Sequence, residues 1–380
     1  MPITSLRITN FRNLAAVELA MHAKGLNIIC GNNGSGKTSL LEAIYYLGAG
    51  KSFRAAVAKQ LIRHQTDKFS IFSQLITETE RLFPIGIERE KQGRLRIRMD
   101  NQELTGIMEL ASSLPIRLIH AQSHTLFESG PVFRRKYLDW GLFYLFNENF
   151  LGNWRHFGRS LRQRNSILRN KRSLNELKTW TAEVLKYGSI LDQLRREYIE
   201  QLTPVMCEVT HLLLNSTNIK IDYQPGWDSN QDFATVLNGD EQEAYHLGYT
   251  PYGPHRADFD ITMDAISVKH FLSRGQQKLL ICAMMVAQGM ILEKCANKSL
   301  IYLIDDLPSE LDEHSRRKLI SLLSRQNAQV FITSIDSKTI SECMSHYPGV
   351  LTKVFHVEQG EIKEVISESN LAGSHGCITT

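Results

Sequence analysis

Gly31-Asn32-Asn33-Gly34-Ser35-Gly36-Lys37-Thr38 decides how the rest of the chain is read. The stretch fills every fixed position of the pattern GxxxxGK[ST]. It follows an apolar run, Leu26–Cys30, that reads as a strand. It also opens a helix over Lys37–Leu47, whose Leu40, Leu41, Ile44 and Leu47 form one stripe. Its glycines let consecutive backbone N–H groups curve around phosphate oxygens without Cβ clashes. Lys37 can reach the β and γ phosphates of a nucleotide, and the Thr38 hydroxyl can ligate Mg²⁺. Residues Gly31, Asn32, Asn33, Gly34, Ser35, Gly36, Lys37 and Thr38 are therefore the candidate cradle for ATP. Gly50-Lys51-Ser52 imitates a second cradle, but Tyr45 stands in place of its first glycine and the residues close a helix instead of opening one. One nucleotide site per chain is expected.

Outward from the cradle, short strand patterns cover Ile3–Thr9, Ala15–Ala20, Phe69–Thr77, Pro84–Glu88, Leu95–Met99 and Ile116–Ala121. After Pro131 the period becomes helical through about Leu214, with long polar faces and few glycines. Strand signals return at Ile219–Tyr223 and Phe259–Met263. The last third alternates helix and strand through Gln276–Glu293, Leu300–Ile304, Ser315–Leu323, Val330–Thr333 and Val350–Val357. Such alternation favours a largely parallel sheet. The expected division is an N-terminal half of an α/β head over 1–122, an α-helical arm over 123–250, the C-terminal half of the head over 251–366, and a small polar tail, 367–380.

The second half of a nucleotide clamp is a carboxylate at a strand end. Leu300-Ile301-Tyr302-Leu303-Ile304-Asp305-Asp306 supplies it. Asp305 would hold Mg²⁺; Asp306 would orient or deprotonate the attacking water, or else cap the next turn. Ahead of it, Leu272-Ser273-Arg274-Gly275-Gln276-Gln277-Lys278 opens a long helix and resembles the LSGGQ signature of ABC-type ATPases, with Arg274 in place of the first glycine. In that class the serine and the helix N-terminus meet the γ-phosphate held by the opposite subunit, a role in keeping with the free N–H groups there. Ser309-Glu310-Leu311-Asp312 matches the loop that crosses the dimer interface of the same class.

Composition narrows the class. The chain has 380 residues, 42% hydrophobic and 22% charged, an ordinary globular balance with enough apolar surface for a sizeable core. Six cysteines are scattered without a CxxC pair, which argues against a disulfide framework or zinc cage and fits a reducing cytoplasm. The longest apolar run, Leu279–Leu292, contains Gln288 and lies between Lys278 and Glu293, short of the roughly 20 apolar residues of a membrane span. Arg7 and Arg12 interrupt any signal-peptide core. Forty-four Lys and Arg against 40 acids give a net charge of +4, too small a surplus to specify a nucleic-acid partner.

Several motifs in one order resemble a single family, the RecF recombination-repair proteins, relatives of SMC and Rad50 heads. The pieces are Asn10-Phe11-Arg12-Asn13, the cradle, Lys51-Ser52-Phe53-Arg54, the stretch Gly130–Asp139, Gly253-Pro254-His255-Arg256, Ser273–Lys278 and Ile304-Asp305-Asp306-Leu307. The resemblance covers nearly the whole chain. It implies an ABC-type (SMC/Rad50-like) ATPase head with an inserted helical arm. It further implies a slow, DNA-stimulated cytoplasmic ATPase that dimerises around ATP and Mg²⁺, clamps double-stranded or gapped DNA, and works with RecR and RecO to load RecA. By analogy Arg12 contacts nucleotide phosphate, Arg54 is a second such residue, and Gln122 senses Mg²⁺ and nucleotide. Lys37, Asp305, Asp306, Ser273 and Gln122 would then be the catalytic set. Three departures from related patterns stand out: Ala121-Gln122 replaces a usual Pro–acid pair, Thr333-Ser334 replaces the histidine of transporter ATPases, and Asp306 replaces their longer glutamate. A hydroxyl carries protons poorly near neutral pH, so slow hydrolysis is expected.

Two basic stretches are the DNA candidates. Arg155, Arg159 and Arg162 follow helical spacing within an acid-free run that also holds Arg164, Arg169, Lys171 and Arg172. Arg94, Arg96 and Arg98 alternate so as to project from one side of a strand. A solvated arm and a charge-guarded sheet edge would show the same patterns. The roles of Arg134, Arg135, His255 and Arg256 cannot be derived from the residues. A transporter ATPase subunit and an SMC-like tether remain as alternatives; the first is disfavoured by the long insertion and missing histidine, the second by the short, irregular middle segment.

Overall fold

A computed structural model describes residues 1–365 without 172, 217, 240 and 337–349, and without the side chains of Gln122, His124 and Thr125. The expected roles of Gln122 and Arg172 and of the tail 367–380 thus lie outside the described residues. The chain forms two compact units, Met1–Gln122 with Asn297–Thr380, and Ser123–Ala296. The sequence-based division at residue 250 falls inside the second unit, because residues 251–296 pack with the arm helices.

The first unit has two sheets. One has the order β15 (Glu361–Val365), β14 (Thr352–Glu358), β3 (Gly25–Cys30), β13 (Gln329–Ser334), β12 (Ile301–Ile304), β8 (Ile116–Ile119). All of its neighbours are parallel except the β14–β15 hairpin. Every residue of β12 and β13 is buried, the near-continuous apolar run typical of a parallel strand covered on both faces. The other sheet is antiparallel, in the order β2 (Leu14–Ala20), β1 (Ile3–Phe11), β4 (Lys68–Ile76), β5 (Leu82–Glu90), β6 (Leu95–Met99), β7 (Gln102–Glu103). Its strands alternate buried and exposed side chains, so one face meets the core and one meets water. The cradle helix, Lys37–Ala49, contributes Leu40, Leu41, Ile44 and Leu47 to a core shared by both sheets. Its Tyr46 ring sits edge-on to Phe69, at 5.2 Å, and Phe69 to Phe11, at 5.0 Å.

The second unit is built on two long arm helices, Pro131–Arg169 and Leu174–Leu214, and the signature helix, Arg274–Ala296. Pro131 begins the first helix at a position where its missing N–H costs nothing. Ser173 caps the second through Asn175 N–H. The arm helices approach so closely at Gly141 that a Cβ there would lie 2.1 Å from the Tyr198 hydroxyl. A small antiparallel sheet, β9 (Ile219–Gln224), β10 (Asp258–Met263) and β11 (Ile266–Ser267), completes the unit.

By length and hydropathy the signature helix is sufficient to cross a membrane, a test that buried core helices also pass. Its burial identifies it as a core helix. Leu280, Ile281, Cys282, Ala283 and Met284 in succession are buried, as in a helix enclosed by protein on all sides. Gln288 explains the polar interruption: its amide donates to Tyr137 O at 2.9 Å and to the Tyr198 hydroxyl at 2.6 Å.

Candidate nucleotide site

The cradle hangs between β3 and the helix it opens. Gly31, Gly34 and Gly36 have φ of 151°, 78° and 126°, conformations L side chains resist. At Gly31 a Cβ would also lie 2.2 Å from Val357 O on β14. The loop is held from outside: Asn13 Nδ2 and Gly360 N–H, the latter in the β14–β15 turn, both donate to Ser35 O, at 3.2 and 2.8 Å. Lys37 is buried, and its ammonium donates to Gly31 O at 2.6 Å and Asn32 O at 3.0 Å. Burial holds that ammonium below its ordinary pKa, against the opposing pull of Asp306 and Asp305. The Ser35 hydroxyl is buried without a hydrogen-bond partner inside the loop.

Parallel pairing of β12 with β13, and of β13 with β3, brings the acidic strand end to the cradle. Asp305 Oδ1 accepts hydrogen bonds from two hydroxyls, Thr38 at 3.1 Å and Thr333 at 2.8 Å. Thr333 in turn accepts from Asp306 N–H at 2.7 Å. Thr333 therefore braces the Asp305 carboxylate and the Asp306 backbone together. Asp306 adopts φ 54° and receives the Ser309 hydroxyl at Oδ2, 2.6 Å away. Asp306 is the N-cap of the turn Leu307–Glu310, its carbonyl accepting from Ser309 N–H at 3.0 Å, while its carboxylate accepts no backbone N–H there. A cavity of about 440 Å³ opens here, lined by Asn13, Gly34, Lys37, Thr38, Arg54, Asp305, Asp306, Ser309 and Thr333 among others.

Glu42 escapes notice in the sequence. It lies on the cradle helix, fully buried, and receives Arg12 in a two-pronged ion pair, Nε to Oε2 and Nη2 to Oε1, both at 2.9 Å. Ser52 donates to Oε1, and Arg54 Nη1 stands 3.9 Å from Oε2. Arg12, expected at the phosphates, is committed here to Glu42 and to Gln60 O, whereas Arg54 lines the cavity.

Ser273, in the second unit, forms a reciprocal cap: its N–H donates to Gln276 Oε1 at 3.0 Å and its Oγ accepts from Gln276 N–H at 3.3 Å. Asp312 caps the helix Glu313–Ser324 through Ser315 N–H, and that bond holds its carboxyl below the usual pKa. Arg155, Arg159 and Arg162 are exposed and make no ion pair among the described residues, whereas Arg164 is fully buried against Thr181 and Thr250. Of the arginines expected along one strand, Arg94 lies just before β6, which starts at Leu95; Arg94 and Arg98 are exposed, and Arg96 is drawn to Glu88 at 3.3 Å and Glu90 at 4.0 Å.

The residues with no derivable role tie the first arm helix to the segment leading into β10. Arg134 is buried and forks onto Asp258 at 2.6 and 2.9 Å, while donating to Leu126 O and Ser129 O. Arg135 donates to Ala257 O at 2.7 Å. Arg195 joins Asp139, at 2.9 Å, to Pro254 O, at 2.6 Å. The Arg256 guanidinium lies 5.5 Å from the Tyr249 ring centroid. His255 Nε2 donates to Thr250 O at 3.0 Å, and burial lowers its pKa to about 4. A histidine depressed below its unfolded value of 6.5 leaves the unfolded chain binding the extra proton, so stability is full above about pH 6.5 and falls as the pH drops toward 4. Chemical denaturation of His255→Phe against pH should show a flatter acid limb than the unsubstituted chain; identical limbs would exclude this source.

The parallel sheet, cradle, hydroxyl-braced acidic strand end and helical insertion define an ATPase head of the ABC class. Comparison with known proteins specifies the branch. A family described as the RecF/RecN/SMC N-terminal domain matches residues 2–363. The DNA replication and repair protein RecF of Shewanella denitrificans is 39% identical over 95% of this chain and 99% of its own. That of Shewanella frigidimarina is 38% identical over 95% and 98%. A solved structure described as the recombination mediator protein RecF-ATPrS in the RecFOR pathway has a TM-score of 0.83 at 23% identity, covering 96% of this chain and 99% of that one. An SMC head bound to the C-terminal winged-helix domain of ScpA has a TM-score of 0.58 at 14% identity, covering 98% and 100%. The chain belongs to the RecF family.

Proposed function

We propose that the chain is an ATP-driven dimerisation switch that clamps duplex or gapped DNA during recombinational repair and replication, acting with RecR and RecO ahead of RecA. The observation that carries the reading is the convergence of Thr38, Thr333 and Asp305 beside the buried Lys37. The similar proteins named RecF, in structures titled RecF-ATP and RecF-ATPrS, support it.

The residues fit ATP and Mg²⁺. The unpartnered Ser35 hydroxyl and the glycine N–H groups offer donors where phosphate oxygens would lie. The Thr38 hydroxyl and Asp305 carboxylate form the hard-oxygen pair that would hold Mg²⁺, which when bound neutralises charge on the transferring phosphoryl group. Lys37 exchanges Gly31 O and Asn32 O for phosphate oxygens. Asp306, held by Ser309 and by its own N–H bond to Thr333, orients the attacking water. Thr333-Ser334 stand in place of the histidine of transporter ATPases, so proton removal is inefficient and hydrolysis slow. Ser273 and the N-terminus of its helix meet the nucleotide of a second copy, closing the dimer. The exposed Arg155, Arg159 and Arg162, with Arg94, Arg96 and Arg98, neutralise DNA phosphates without reading bases.

Sedimentation velocity with and without ATP–Mg²⁺ and labelled gapped duplex tests this. A monomer should become a dimer only with ATP, and the dimer should carry the DNA. An Arg155→Gln, Arg159→Gln, Arg162→Gln variant should still dimerise but bind DNA with a shallower salt dependence, by roughly 0.9 per lost phosphate contact. A monomer that takes up DNA equally well without nucleotide would refute the switch.

A further inference from the structure

We propose that a second cavity, inside the arm unit, takes up an unpaired DNA base stacked on Trp154, so that the arm distinguishes gapped from fully paired DNA. The inference rests on reading the chain as a DNA clamp and names the strand feature that it senses. The cavity measures about 260 Å³ and is lined by Val132, Arg135, Lys136, Trp154, Gly158 and Pro254 among others, all within Ser123–Ala296.

Trp154 is the tryptophan left open. The Trp140 ring lies 4.5 Å from that of Tyr144, Trp227 lies 4.3 Å from Phe233, and Trp180 packs against Ile167 and Leu168. Trp154 has no ring partner among the described residues and is 47% exposed, with Val132 and Phe133 also exposed. Grouped large apolar side chains left in water mark a contact surface. Gly158, one turn beyond Trp154, keeps the floor open. A Cβ there would meet only Arg162 Nη1, at an ordinary 3.5 Å, so close packing is not what calls for a glycine inside this helix.

The charge around the cavity selects an anion. Arg135 and Lys136 form no ion pair among the described residues, because the nearby acids are taken: Asp139 by Arg195 at 2.9 Å and Asp258 by Arg134 at 2.6 Å. Burial, then repulsion from Arg195, lowers the Arg135 pKa, as an uncompensated positive region requires. Arg162 brings the exposed face that also carries Arg155 and Arg159 to the rim beside Gly158. An acidic peptide would satisfy the charge alone. A single-stranded nucleotide satisfies the charge and the open indole ring together, whereas a duplex keeps its base faces stacked.

Fluorescence anisotropy on the full chain in ATP–Mg²⁺ would compare a labelled duplex, the same duplex with a short gap, and one whose gap nucleotides are abasic. Trp154→Ala should weaken gapped DNA about tenfold, the scale of one stacked base, and leave the duplex within about twofold. Trp154→Phe should keep most of the affinity, and abasic gaps should make Trp154→Ala equal to the unsubstituted chain. Gly158→Leu, which fills the floor without removing a charge, should lose the gap preference while keeping its thermal midpoint. Folded Trp154→Ala and Gly158→Leu proteins with the parental gapped-to-duplex ratio would overturn the proposal. So would an acidic, phenylalanine-bearing peptide whose binding depends on Trp154 while gapped DNA is unmoved, since the cavity would then belong to a protein partner. An unsubstituted chain that binds none of the three DNAs would instead overturn the functional reading beneath it.

Discussion

Lys37→Ala should abolish ATP-dependent dimerisation and lower the hydrolysis rate by roughly 10²–10³-fold, the scale for losing one preorganised donor at a site of developing charge. The argument is geometric. The ammonium is buried, is fixed by Gly31 O and Asn32 O, and faces the two aspartates that would otherwise repel a polyphosphate. Lys37→Arg should fail to rescue, because a planar fork cannot occupy a buried slot shaped for a tetrahedral ammonium. Steady-state hydrolysis together with sedimentation in ATP–Mg²⁺ measures both effects. A variant that hydrolyses ATP at the parental rate would show that the cradle is not the working site.

Arg134→Ala should destabilise the second unit by about 3–5 kcal/mol, the cost of stranding one partner of a buried ion pair. The loss leaves the Asp258 carboxylate, Leu126 O and Ser129 O without their shared donor. Urea unfolding followed by tryptophan fluorescence isolates this unit, since Trp140, Trp154, Trp180 and Trp227 all lie within Ser123–Ala296. Adding Asp258→Asn should recover much of the loss, as removal of the orphaned charge does elsewhere. An unchanged midpoint in Arg134→Ala would contradict the tie between arm helix and β10.

The cradle and the acidic strand end are legible from residues because each is local: a glycine pattern between strand and helix, and an apolar run closing on two acids. Glu42 is not. A lone glutamate on a helix reads as a solvated position, and only the close approach of Arg12, 30 residues earlier, and Ser52, 10 later, reveals a buried hub. The division at 250 misses for a related reason. Strand and helix alternation in the last third does not disclose that the signature helix buries its surface against the arm, as the Tyr137–Met284 bond shows. The basic stretch was partly decodable: Phe157, Ser160, Arg164, Ile167 and Leu168 recur at three- and four-residue spacing, and all are buried, so Arg164 belongs to the inward stripe while Arg155, Arg159 and Arg162 face out.

The place of β3 in its sheet has a bearing on biosynthesis. Both ladder partners of the cradle strand, β13 and β14, lie some 300 residues downstream, and the turn that braces Ser35 contains Gly360. On the ribosome the stretch Gly31–Thr38 is made some 300 residues before its in-sheet neighbours. The unit Ser123–Ala296 is complete long before then and can fold as it appears. Until β13 and β14 have been made, the nascent chain has its arm helices, while the strand that carries the phosphate loop lacks both of its ladder partners.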